Sequence, residues 1–237
     1  TSHALPQSGA LLEACGFAKA MDLFAYRMRR SDTPAPILRL ARLAEQSGRV
    51  RVRHADMHRF EDEVAAVFDI FNDAWSDNWS FVPVDRDEAR AVARQMRPIM
   101  RAHYCRIVEI DGQPAAMMVA LPDLNRVIAP FRGRLLPFNW ARLGLAIARD
   151  RWRTARIPLL GIRKAYRQTP LAMGVLALLV TEIGKLGERY DLEWAEFSWV
   201  LECNREMVKL AEIAAGPPVK TFRIYEKAIG PGADGAE

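Results

Sequence analysis

Cysteine is scarce in this chain, with three in 237 residues. Cys15, Cys105 and Cys203 are widely separated and form no CxxC pair. An odd, scattered set argues against a disulfide framework or a zinc finger and fits a reducing cytosol. Histidine is also sparse, and His54, His58 and His103 lack metal-ligand spacing. No HExxH, P-loop or nucleophile elbow occurs, so no metal site is expected. The N-terminus has no basic segment followed by an apolar signal core. The longest wholly apolar run, Leu171 to Val180, is too short to span a bilayer. A cytoplasmic protein without an integral membrane segment is therefore expected. A large excess of one charge is missing too: 34 basic against 29 acidic residues give +5. That balance permits an anionic partner without requiring one. The basic stretches at 27–30 and 49–53 come with no nucleic-acid-binding signature, so no nucleic acid partner is expected.

Apolar residues are not lacking. They make up half of the chain, enough to bury a full core. Leu11 to Phe17 reads as a helix end closed by Gly16, and Asp22 to Met28 alternates as a strand. Residues 31–48 read as a linker carrying a helix from Ile37 to Gln46. From Val50 the order is strand (50–55), helix (60–75), loop (76–84), helix (85–100), and then a hairpin. The hairpin runs 104–109 and 113–120 around Asp111-Gly112. An aromatic, basic segment, Leu135 to Arg153, looks inserted before the strand Ile157 to Ile162. It suits a roof over a greasy channel, a contact with a partner subunit, or a membrane surface. A long helix, the strand Trp194 to Leu201, the helix Asn204 to Ala215 and the strand Lys220 to Ala228 close the chain. The pattern fits an α/β (α+β) fold: a mixed, mostly antiparallel sheet flanked by helices, with an inserted helix between the third and fourth strands counted from Val50.

The stretch Ile157 to Glu188 is a strand, a basic turn and a long helix. Thr169 is placed to cap that helix and Pro170 to occupy its first position. Free amides, the dipole and the cations Arg163, Lys164 and Arg167 together suit a pyrophosphate. The chain also repeats itself. A helix ending at Gly16 and a strand ending near Tyr26 parallel Gly216 and Tyr225 at nearly the same spacing. Residues 1–30 thus read as the tail of a preceding unit of the same kind or as an added edge element.

The strand–turn–helix IPLLGIRKAYRQTPLAMG, the segment SWVLECNREMVKLAEIAAG and the terminal KTFRIYEKA resemble the GNAT superfamily of acyl-CoA N-acyltransferases. The likeness covers 49–230, with 231–237 left as a disordered tail. It implies acyl-CoA as cofactor and direct acyl transfer to an amine, either a small molecule or a peptide. It implies cofactor contacts from Ile162, Arg163, Arg167, Gln168, Thr169, Leu171, Ala172, Met173, Gly174 and Asn204. Family members carry glycines in the phosphate turn. Here Pro170 and Ala172 stand at those positions, and Ala211 stands where many members have a thiolate-protonating Tyr. The alternative is a non-catalytic module of the same fold that binds a ligand or partner.

A general base is sought among carboxylates facing a cleft, which points to Glu196 and Glu202. Period-two spacing puts both on one face with Ser198, and puts Trp199 on the other. Trp75 and Trp79, together with Asn125 and Trp199, are the candidates for lining the acceptor pocket. A homodimer, or contact with a preceding GNAT-like domain, completes the expected partners.

Overall fold

The computed structural model describes residues 4–29, 33–150 and 152–228. Residues 1–3 and 30–32, Arg151 of the insert, and 229–237, which include the tail expected at 231–237, lie outside the described residues. In chain order the helices are α1 (Ser8–Ala14), α2 (Ala35–Gln46), α3 (Phe60–Trp75), α4 (Arg86–Met96), α5 (Asn125–Ile128), α6 (Asn139–Arg149), α7 (Lys164–Arg167), α8 (Ala172–Tyr190) and α9 (Arg205–Ala215). The strands are β1 (Ala18–Arg29), β2 (Val50–His54), β3 (Cys105–Ile110), β4 (Gln113–Pro122), β5 (Thr154–Ile162), β6 (Trp194–Leu201) and β7 (Lys220–Glu226). They form one sheet in the order β2-β3-β4-β5-β6-β1-β7.

All neighbours pair antiparallel except β5 and β6, which run parallel. The β3–β4 hairpin turns at Asp111 and Gly112 with φ of 52° and 77°, the positive pair that an Asp-Gly turn supplies cheaply. Strand β1 pairs with both β6 and β7, so the N-terminal segment lies inside the sheet and not at its edge. The echo has a structural counterpart, because α1–Gly16–β1 and α9–Gly216–β7 end in adjacent antiparallel strands. The insert expected at 135–153 forms α6, which follows the short α5 between β4 and β5, and no described residue of α6 is buried.

Two layers of helices cover the sheet. Cys105 and Val119, cross-strand partners, look toward α3 and α4. Arg106, one residue on, points the other way and reaches Glu182 of α8 at 2.8 Å. The core is continuous around Ile107, Met117, Met118, Leu178, Leu179 and Ile183. Helix α2 lies on α8 at Gly174, where an added Cβ would come within 2.8 Å of the Ala44 Cβ. The loop after α3 is tied back by Asn72, which accepts from Val84 N at 2.9 Å and donates to Val84 O at 2.8 Å. Asp85 then starts α4 with a capping box completed by Glu88.

Candidate active site

Strands β5 and β6 hold register only from Thr154↔Trp194 to Ile157↔Phe197. Beyond that point β5 stays bonded to β4 and β6 to β1, so the two inner edges separate into a fork. Backbone groups along those edges no longer pair with a neighbouring strand, and two of the carbonyls, Ser198 O and Ile162 O, accept from Arg156 and Arg167. The groove between them has two narrow lobes of about 60 Å³ each, both lined by Trp75, Asn78, Leu160, Asn204 and Met207. Trp75 ends α3 and lays its ring on Gly161, where any Cβ would collide with it. The groove is narrow because this indole sits in it.

A polar cluster stands at the apex of the fork. Arg156 Nε donates to Ser198 Oγ at 2.9 Å, and Ser198 Oγ donates to Glu196 Oε1 at 3.2 Å. Arg27 Nε donates to Glu196 Oε2 at 3.3 Å from β1. Glu196 and Ser198 are buried, and the Arg156 guanidinium stacks 4.9 Å from the Trp199 ring. Trp199 is 52% exposed and meets Phe222 edge-on. A bulge opposite Phe24 and Tyr26 shifts the β6 register between Phe197 and Val200. The expected alternation therefore breaks, and Trp199 joins Ser198 against Arg156 instead of taking the opposite face.

Glu202 has a different environment. Its carboxylate takes Lys19 Nζ at 2.7 Å and the Asp22 amide at 3.0 Å. The Lys19 bond, then the Asp22 amide, hold its pKa below the usual carboxylate range. A carboxylate bound in this way is a weak base that ties β6 to β1, whereas Glu196 lies behind Ser198 at the fork. Asp22, bonded to Arg223 at 2.8 Å, is pushed down to about 2 by that partner.

The phosphate turn departs from its expected form. Thr169 does not cap α8: its Oγ1 donates to Tyr166 O at 2.7 Å and its amide to the same oxygen at 3.1 Å. The cap position is Leu171, and Pro170 precedes the helix. The Ala172 amide closes on Thr169 O at 3.1 Å. Gly174 is buried under α2, so the space that its missing side chain frees is used for helix packing and not for approach to a phosphate. Lys164 is neutralised by Asp77, and its amide is held by Asp73 at 2.6 Å. Arg163 and Arg167 are held by carbonyls: Pro114 O for the first, Ile162 O and Ala74 O for the second. Carbonyls orient a guanidinium without cancelling its charge, so both keep a net positive field at the start of α8. Arg167 and Ile162 both line the groove.

Asn204 caps α9 by accepting from Met207 N at 3.2 Å, and it also faces both lobes. Trp79 is exposed in the loop and lines neither lobe, where Asn78 stands instead. Asn125 is absorbed in a turn with Asp123, at 3.1 and 2.9 Å, and lies outside the groove. The sequence reading missed Arg156, Arg27 and Ser198. A strand taken to begin at Ile157 leaves Arg156 outside it, although an arginine flanking an apolar strand is a visible signal. Among the described residues no group of His, Cys, Asp and Glu side chains could hold a metal ion, and no helix is long and apolar enough to cross a membrane.

No family model matches the chain. Among curated proteins, a bacterial ceramide synthase of Caulobacter vibrioides (strain NA1000 / CB15N) is 36% identical over 223 residues, 94% of this chain and 58% of that protein. Protein YghO of Escherichia coli (strain K12) is 34% identical over 229 residues, 96% of this chain and 58% of that protein. The chain therefore spans little more than half the length of these curated relatives. Among solved structures, the GCN5-related glucosamine N-acetyltransferase region of a fungal multi-domain GH3 beta-N-acetylglucosaminidase gives a TM-score of 0.56. That match has 10% identity and covers 92% of this chain and 22% of that one. A GCN5-related N-acetyltransferase from Sphaerobacter thermophilus gives 0.55 at 11% identity, covering 93% of this chain and 54% of that one.

Proposed function

This chain has the fold of the GCN5-related N-acetyltransferases, and on that premise we propose that it transfers an acyl group from acyl-CoA to an amine. The observation that carries the reading is the β5–β6 fork with Glu196, Ser198, Arg156 and Arg27 at its apex. The name of the Caulobacter relative, a ceramide synthase, supports a long-chain amine as acceptor and a fatty acyl group as donor.

Acyl-CoA supplies the acyl group already activated as a thioester. Arg167 and Arg163, charged but bonded to carbonyls, attract its phosphates. Trp75, which lines both lobes of the groove, would wall the pantetheine arm. The inner edge of β5 beyond Ile157, where its pairing with β6 ends, is the stretch beside which the thioester carbonyl would lie. Ser198 Oγ takes a proton from the incoming ammonium as it passes its own to Glu196, while Arg27 keeps that carboxylate in place. Arg156 fixes the Ser198 hydroxyl and, with Trp199, flanks the amine.

One observation favours a second reading, a ligand-binding module without turnover. Ala211 is buried in the core at 2% exposure, so its slot offers no acid to the leaving thiolate. Calorimetric titration with acetyl-CoA and palmitoyl-CoA tests the cofactor half of the proposal. Saturable binding that weakens at least tenfold in Arg167→Glu is expected. Equal affinity in the variant removes the anion seat, and the absence of binding by any acyl-CoA removes both readings of this groove as a CoA site.

A further inference from the structure

A second cavity, of about 330 Å³ and partly open to solvent, lies on the same face of the sheet as the polar cluster, between α3, α4 and strands β3–β5. Its lining surface is entirely apolar, with Val67, Phe68, Ala93, Met96, Val119 and Leu121 at its centre. The two charged residues at its wall contribute only their stems. Glu63 turns its carboxylate to Arg53 at 2.7 Å, and Arg101 donates to the carbonyls of Pro98 and Met100. A cavity of this kind offers nothing to a polar headgroup and suits saturated hydrocarbon. At the ~30 Å³ that a water-sized group takes up in a liquid, it has room for on the order of ten methylenes.

Its position connects it to the fork. Pro158 lines both the cavity and the groove, and Arg156 of the polar cluster is the cross-strand partner of Leu121 in the cavity wall. The two sites thus flank β5 on one sheet face, with the proton-accepting groups toward β6 and β1 and the apolar space toward β4 and β3. The amine has to meet Ser198 and Glu196, which assigns it to the β6 side. The hydrocarbon of the other reactant is left the β4 side.

We infer that this cavity is an acyl-chain site, which takes the fatty tail of the donor thioester and sets a preference for long over short acyl groups. The inference rests on the acyl-transfer reading above.

The test uses cis-parinaric acid, a fatty acid whose fluorescence rises in apolar sites, with palmitate, hexadecylamine, acetyl-CoA and palmitoyl-CoA as competitors. Saturable uptake of the probe and its displacement by palmitate and palmitoyl-CoA are expected. Ala93→Phe, which fills the cavity, should weaken probe and palmitoyl-CoA at least tenfold and leave acetyl-CoA binding unchanged. Val64→Trp, at the partly open wall, should do the same if Ala93→Phe does not fold. Probe affinity unaltered in the folded variants overturns the site. Displacement by hexadecylamine but not palmitate also overturns it, because the cavity then belongs to the amine. Probe binding that responds to the variants while no acyl-CoA binds sinks the transferase reading and leaves a hydrocarbon site standing.

Discussion

Glu196 and Glu202 lie six residues apart near one strand, and their surroundings divide their work. Glu196 is buried behind Ser198 at the fork, whereas Glu202 is held by Lys19 and the Asp22 amide beside β1. Glu196→Gln should lower turnover about 100-fold or more with acyl-CoA affinity retained, the usual scale for losing a general base. Glu202→Gln should keep its turnover and lower stability only slightly, as for a partly exposed ion pair. The reverse ranking in steady-state kinetics would exchange the two roles. His103 offers a separate check. It is stacked on Tyr190 and set beside Asp150 at 3.2 Å, and burial lowers its pKa from 6.5 to about 4. Between those values the unfolded chain binds a proton that the folded chain refuses, so this group makes stability fall on acidification from pH 6.5 to about 4. Chemical denaturation across that window should show a flatter profile for His103→Phe, and an unaltered slope would show that the imidazole is not held neutral. Both carboxylates were legible from strand spacing. The face of Trp199 was not, because a bulge leaves no mark in a period-two pattern.

Elements were easier to read than their contacts. The Asp-Gly hairpin, the glycine stops at 16 and 216, and the helix expected from Ile37 to Gln46, which the structure begins at Ala35, follow from turn chemistry and periodicity. An amphipathic stripe says only that a helix has an apolar partner, and so the docking of α2 on α8 was not foreseen. The same contact changes the meaning of Gly174, which the resemblance assigned to the phosphate turn. Gly174→Val should destabilise by about 1–3 kcal/mol through overpacking against Ala44 and Leu40 O. Urea unfolding with an unshifted midpoint would mean that the two helices do not approach there. The start of α8 was misread by two residues because Thr169 is as good at closing a turn on Tyr166 O as at capping a helix.

At the scale of the molecule, the order of strands and helices from Val50 onward was enough to indicate the fold. The place of residues 18–29 was not evident, because pairing between the first strand and the last two is non-local. The resulting sheet opens between the parallel pair β5 and β6, puts a hydrogen-bonded Ser198–Glu196 cluster at the opening and leaves an apolar hollow beside it. The central claim is that an acyl group crosses that opening onto an amine. The most direct measurement combines palmitoyl-CoA, a long-chain amine and the folded chain, and follows thiol release together with the amide by mass spectrometry. The account predicts one amide for each CoA thiol freed, at a rate cut about 100-fold or more in Glu196→Gln. Thiol release without amide, or amide formation untouched by that substitution, would contradict it.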